Sequence, residues 1–153
     1  MPFTDIARVQ TWWDAHGSGS PLLLLHPGGA DSLAFDANLA DLAAHHRMYR
    51  FDRRGHGRTP GDGAIGFEQM ARDTIAFVEA EIREPAHLVG HSDGATVALL
   101  AARLRPDLVR GLVFSSSVFH HDGWLPRCRW TRCTSESRRW HPPTSGGSPP
   151  APC

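Results

Sequence analysis

Apolar residues in this chain follow two rhythms, short unbroken runs and longer stretches spaced three or four apart, and the rhythm changes at glycine and proline. Residues 6–15, with Val9, Trp12 and Trp13, read as an early strand. Residues 16–21 (His-Gly-Ser-Gly-Ser-Pro) are turn chemistry leading into the leucines at 22–25, which predicts a hairpin between the two strands. Phe35, Leu39 and Leu42 recur at helical spacing, so 34–44 is expected to be an amphipathic helix lying on one sheet face. A short strand follows at 48–51. Phe67, Met70, Ala71, Ile75, Val78 and Ile82 then form one helical stripe over 67–83, stopped by Pro85. A strand at 86–89, a helix at 95–104 ended by Pro106, and a strand at 111–115 complete the alternation. Strands alternating with helices through short connections predict an α/β architecture, a mostly parallel sheet with helices on both faces.

Beyond residue 126 both rhythms stop. Residues 127–153 contain no Leu, Ile, Val, Met or Phe, and their prolines, serines and glycines are the composition of a segment that builds no core. Each of the pairs Arg127-Cys128, Arg129-Trp130, Arg132-Cys133 and Arg139-Trp140 would supply a Leu, Val or Met codon one frame over, because an arginine codon ending in any base followed by TG spells NTG. All the basic residues are arginine, which suits a GC-rich gene. The expected organisation is a partial domain over 1–126 and a disordered tail over 127–153 that reads as truncated or out of frame.

Composition adds exclusions. The formal charge of +0 hides an acidic body and a tail in which Arg127, Arg129, Arg132, Arg138 and Arg139 face only Glu136. Neither part has the basic face interleaved with aromatics that nucleic-acid binding needs. Met1-Pro2-Phe3-Thr4-Asp5 lacks the pattern of a secretory leader, and no apolar run is long enough for a membrane span. The 3 cysteines all lie in the tail, so no disulfide framework is expected, and a cytoplasmic location is the expectation. No histidine pair shows metal-ligand spacing with a third ligand nearby. Neither metal nor cofactor is expected.

The chemistry concentrates at 88–94, Leu-Val-Gly-His-Ser-Asp-Gly, which sets Ser92 between two glycines after an apolar run and before a helix. Such a strand-turn-helix must be very tight. Gly90 and Gly94 leave room for the two elements to approach, and Ser92 is expected in a strained backbone conformation with its hydroxyl lifted clear of the sheet. The amide of Asp93 is then placed to meet an oxyanion.

Two further stretches occur in order upstream, Leu22-Leu23-Leu24-Leu25-His26-Pro27-Gly28-Gly29 and Asp52-Arg53-Arg54-Gly55-His56-Gly57-Arg58-Thr59. With the serine turn, they make residues 9–124 resemble the α/β-hydrolase family. The resemblance implies that Ser92 is the nucleophile and that the His26 loop supplies a second oxyanion amide. Pro27 departs from the family's His-Gly-Gly start and has no N–H, so Gly28 is the preferred donor and Gly29 the fallback. His26 and His56 belong to family turns and are expected to serve structural hydrogen bonds; His91 is expected to pack.

In this family an acid and then a histidine follow the serine in sequence. Asp122 reads as an ordinary loop residue and His141 as a solvated tail residue, so both triad partners are expected to be absent. The resemblance implies a hydrolase acting on a carboxylic ester or similar small-molecule acyl substrate. The alternative is an inactive hydrolase fragment with at most an interaction role. Oligomeric state is not legible.

Overall fold

The computed structural model describes residues 3–61 and 65–117. Its strands are β1 (Phe3–Ile6), β2 (Val9–His16), β3 (Pro21–Leu25), β4 (Arg47–Phe51), β5 (Ala86–His91) and β6 (Val109–Ser115). They form one sheet in the order β1-β2-β4-β3-β5-β6. β1 and β2 pair antiparallel, as do β2 and β4, whereas β4, β3, β5 and β6 run parallel. The helices are α1 (Leu39–Ala43), α2 (Phe67–Phe77) and α3 (Asp93–Leu104). The described residues all belong to the unit Met1–Gly123. The tail expected over 127–153, with Asp122 and His141, lies outside them.

The leucine run explains the layering. Successive side chains of a strand point to opposite faces, so an unbroken apolar strand is stable only when both faces are covered. Leu23 and Leu25 join Tyr49, Phe51 and Leu88 under Met70, Ala71 and Phe77 of α2 and Val97, Ala98 and Ala101 of α3. Leu22 and Leu24 join Met48 on the other face, under Phe35, Leu39 and Leu42. None of the four leucines is more than 5% exposed. The mostly parallel sheet with helices on both faces is therefore present.

Four local expectations are corrected. The early strand is two, split by a tight turn in which Ala7 and Arg8 take φ of +50° and +66°, with the Arg8 N–H donating to Asp5 Oδ1 at 2.9 Å. The hairpin is thus β1–β2. β2 and β3 do not pair, because β4 lies between them, locked to β2 where Arg50 forks onto Asp14 at 2.8 and 2.9 Å across the register. The helix expected at 34–44 is a 3₁₀ turn over Ser32–Asn38 running into the single-turn α1. It nonetheless brings Phe35, Leu39 and Leu42 onto the core. The stripe at 67–83 is α-helical only to Phe77 and continues as a π-turn over Val78–Ile82, closed by Arg83 at φ +63°.

Candidate active site

The turn between β5 and α3 is as abrupt as a polypeptide allows. Ser92 sits at φ +52°, ψ −122°, a region costly to any residue with a Cβ and held only where the surroundings over-determine it. The surroundings are backbone. A Cβ on Gly90 would overlap Ala95 and the Gly94 carbonyl, and one on Gly94 would overlap the carbonyl oxygens of Leu25 and His26. The Ser92 N–H is tied to the Ser115 carbonyl of β6 at 2.9 Å, and its own carbonyl accepts from Ala95 N–H at 2.9 Å. The half-buried side chain has no hydrogen-bond partner among the described residues.

Ser92, Asp93, Gly28 and Gly29 line one open cleft of about 480 Å³, together with His56, Phe67 and Met70. Asp93 opens α3, so its N–H is one of the four that lack an intrahelical acceptor. Gly28 follows β3 and lies so close to Asp93 that a Cβ there would overlap the Asp93 carboxylate. Gly29 has φ +68° and open space around it. The residues read from the sequence as candidates are therefore brought to one wall. His91 is the exception: instead of packing, its ring is exposed, 3.5 Å from Ser115 Oγ.

Beneath this wall lies a buried basic layer. His26 is fully buried, with Nδ1–H donating to the Pro27 carbonyl at 2.8 Å and Nε2 accepting from the Arg53 N–H at 3.0 Å. Burial first, and then the neighbouring Arg53 charge, push its pKa down to about 4, so the ring stays neutral. Arg53 is 1% exposed. Its guanidinium donates to the His26 carbonyl at 2.7 Å and to Met70 Sδ at 3.3 Å, while Nε has no partner. Burial lowers its pKa to about 10, opposed by the Asp93 carboxylate. Neither the Asp93 carboxylate nor Arg53 was singled out in the sequence for side-chain chemistry. Arg53 lies between Asp52 and Arg54 in a charged run, and nothing local marks it as buried.

A second polar cluster braces the loops. Asp52 is fully buried and accepts from Ser32 N–H and Oγ–H at 3.0 and 2.6 Å, and from Arg58 N–H and Nε at 2.9 and 2.7 Å. Burial alone would raise its pKa, but the hydrogen bonds from Arg58 and Ser32 draw it down to about 2. The Arg58 guanidinium also lies 3.2 Å over the Trp12 ring. Arg54 forks onto Asp73 of α2 at 2.8 and 2.9 Å, anchoring the loop that carries His56. No cluster of metal-ligating side chains occurs among the described residues.

A family model described as alpha/beta hydrolase fold matches residues 21–131. The chain belongs to this family. A pimeloyl-acyl-carrier-protein methyl ester esterase of Sodalis glossinidius is 36% identical over 124 residues, covering 79% of this chain and 47% of that protein. Among solved structures, Est816, described as an N-acyl homoserine lactone degrading enzyme, superposes with a TM-score of 0.72 at 26% identity, covering 76% of this chain and 45% of that one. E-2-(acetamidomethylene)succinate hydrolase superposes with a TM-score of 0.70 at 31% identity, covering 74% and 42%. The chain spans about half the length of the curated relatives it matches. Among the described residues, no helix is long and apolar enough to cross a membrane.

Proposed function

We propose that the cleft is the acyl-transfer centre of a hydrolase acting on carboxylic esters or similar small-molecule acyl compounds, with Ser92 as nucleophile and the Asp93 and Gly28 amides as oxyanion donors. One observation carries this reading: a serine in a sparsely populated backbone conformation, with a hydroxyl that has no partner among the described residues, shares a cleft with Asp93 at the start of α3 and with Gly28 after β3. Strain of this kind is retained where presenting a side chain matters more than local comfort. The relatives named above are esterases, lactone-degrading enzymes and hydrolases by description, which supports the same reaction class.

Acyl transfer at a serine also needs a base in hydrogen-bond reach and an acid that orients it. Among the described residues no histidine is hydrogen-bonded to Ser92. The proposal therefore assigns the nucleophile and the oxyanion donors only. A chromogenic assay with 4-nitrophenyl butanoate on the full 153-residue chain tests it, with fluorophosphonate labelling as a second readout. Turnover, or labelling mapped to Ser92, that disappears in Ser92→Ala is the expected result. Activity that persists in Ser92→Ala, or an absence of both signals, overturns the reading for this chain.

A further inference from the structure

We infer that His56 is a substrate-contacting residue of the same cleft, whose Nε2 accepts a hydrogen bond from a hydroxyl or amide N–H carried by the acyl substrate. This rests on the reading of the cleft given above and adds a substrate class to it: acyl compounds with a hydrogen-bond donor besides the reacting carbonyl.

The geometry determines which nitrogen is available. His56 Nδ1 lies 3.0 Å from the Arg54 carbonyl oxygen. A carbonyl only accepts, so Nδ1 carries the proton and Nε2 of the neutral ring carries the lone pair. Nε2 has no partner among the described residues, and the half-buried ring lines the cleft alongside Ser92 and Asp93. The ring is held on its other sides. Its backbone N–H donates to the Arg53 carbonyl at 2.9 Å, and its own carbonyl accepts from Thr59 N–H at 3.0 Å. Its ring is tilted by 59° against the His26 ring, centroids 5.1 Å apart.

His26 and His56 thus lie as a tilted pair with opposite assignments. His26 has both nitrogens engaged and is sealed from solvent. His56 has one nitrogen engaged and the other without a partner among the described residues, on a residue that lines the cavity. The remaining wall around it, Phe67 and Met70, is largely apolar. An acceptor fixed beside apolar side chains discriminates between ligands with and without a donor placed to meet it, because an unmatched polar group there goes unpaired.

The test is a binding comparison on the full chain with two inert probes, butanamide and 3-hydroxybutanamide, read by imidazole nitrogen NMR and by titration. His56 is expected as the Nδ1–H tautomer. The hydroxylated amide should bind about five- to tenfold more tightly and shift the Nε2 resonance, while butanamide leaves that resonance unmoved. His56→Asn keeps the bond to the Arg54 carbonyl but removes the cleft nitrogen, and should erase the preference with folding intact. His56→Gln reaches into the cleft without that bond and should retain part of it. Equal binding of the two amides, an Nε2–H tautomer, or a preference that survives His56→Asn overturns the inference. Failure of either amide to bind, with no fluorophosphonate labelling of Ser92, would bring down the acyl-site reading itself. Labelled Ser92 with no discrimination sinks only the role of His56.

Discussion

The Asp52 cluster at the end of β4 and the Ser92 turn at the end of β5 are both polar structures at the carboxyl ends of parallel strands that flank β3, yet their hydrogen bonding differs in kind. Both oxygens of Asp52 are taken, by Ser32 and Arg58, and the carboxylate is sealed from solvent. At the Ser92 turn the backbone is pinned by β6 and α3, while the hydroxyl, the Asp93 amide and His56 Nε2 have no partners among the described residues. A saturated cluster holds loops in place, whereas open donors and acceptors on a rigid frame are held for something else to bind. In this molecule polarity alone does not separate the two regions. Saturation does.

Substitutions should separate them further. The largest effect is expected from Asp52→Ala, which strands Arg58 and the buried Ser32 groups and should cost about 4 kcal/mol of stability by urea unfolding. Ser92→Ala, by contrast, should move the midpoint little while removing ester turnover or labelling. If the two losses in stability are equal, the contrast between brace and cleft is wrong.

Gly94→Ala should cost on the order of 3 kcal/mol, since its Cβ overlaps backbone carbonyls that cannot rotate away. Gly29→Ala, at positive φ but in open space, should cost about 1 kcal/mol. A similar loss at both glycines would mean that the close approach of β3 and α3 does not hold the turn.

Acid should distinguish the buried histidine from the buried carboxylate. His26 binds its proton near pH 6.5 when unfolded but only at about 4 when folded. Stability should therefore decline, by about 3 kcal/mol, as pH falls from 6.5 towards 4, and the decline should flatten below that. Asp52 has its folded pKa lowered to about 2, so its contribution is complete above the unfolded value of 3.8 and drains away between there and about 2. Urea midpoints measured across pH 2–7 should show two steps, the upper one missing in His26→Gln. A single step that survives His26→Gln would remove His26 as its source.

The smallest effect is a gain. Ser92→Gly relieves the positive φ and should stabilise the fold by about 1 kcal/mol while removing the hydroxyl. A loss of stability instead would show that the serine side chain contributes packing there.

Much of the frame was legible because its signals are local. The unbroken leucines at 22–25, the stripe from Phe67 to Ile82 and the glycines around Ser92 each state a rule that neighbouring residues obey in nearly any context. The hairpin misreading has a clear cause: turn chemistry at 16–20 says that the chain bends, and nothing in it says that Arg50 of a later strand will take the place beside Asp14. Residues 34–44 kept their apolar spacing but not their helix, because burial of Phe35, Leu39 and Leu42 can be met by a 3₁₀ turn and one turn of α.

Sequence alone determined the alternation of strands and helices, the sharp turn at Ser92 and the family resemblance, since each depends on residues a few positions apart. Tertiary structure alone decided that Asp52 is saturated, that Arg53 lies buried under the cleft, and that His26 and His56, much alike as motif histidines, end with opposite hydrogen-bonding states. The reason is physical. Whether a polar atom is paired depends on groups from other elements, such as Ser32 meeting Asp52 or Met70 meeting Arg53, and that pairing exists only once the sheet has brought them together.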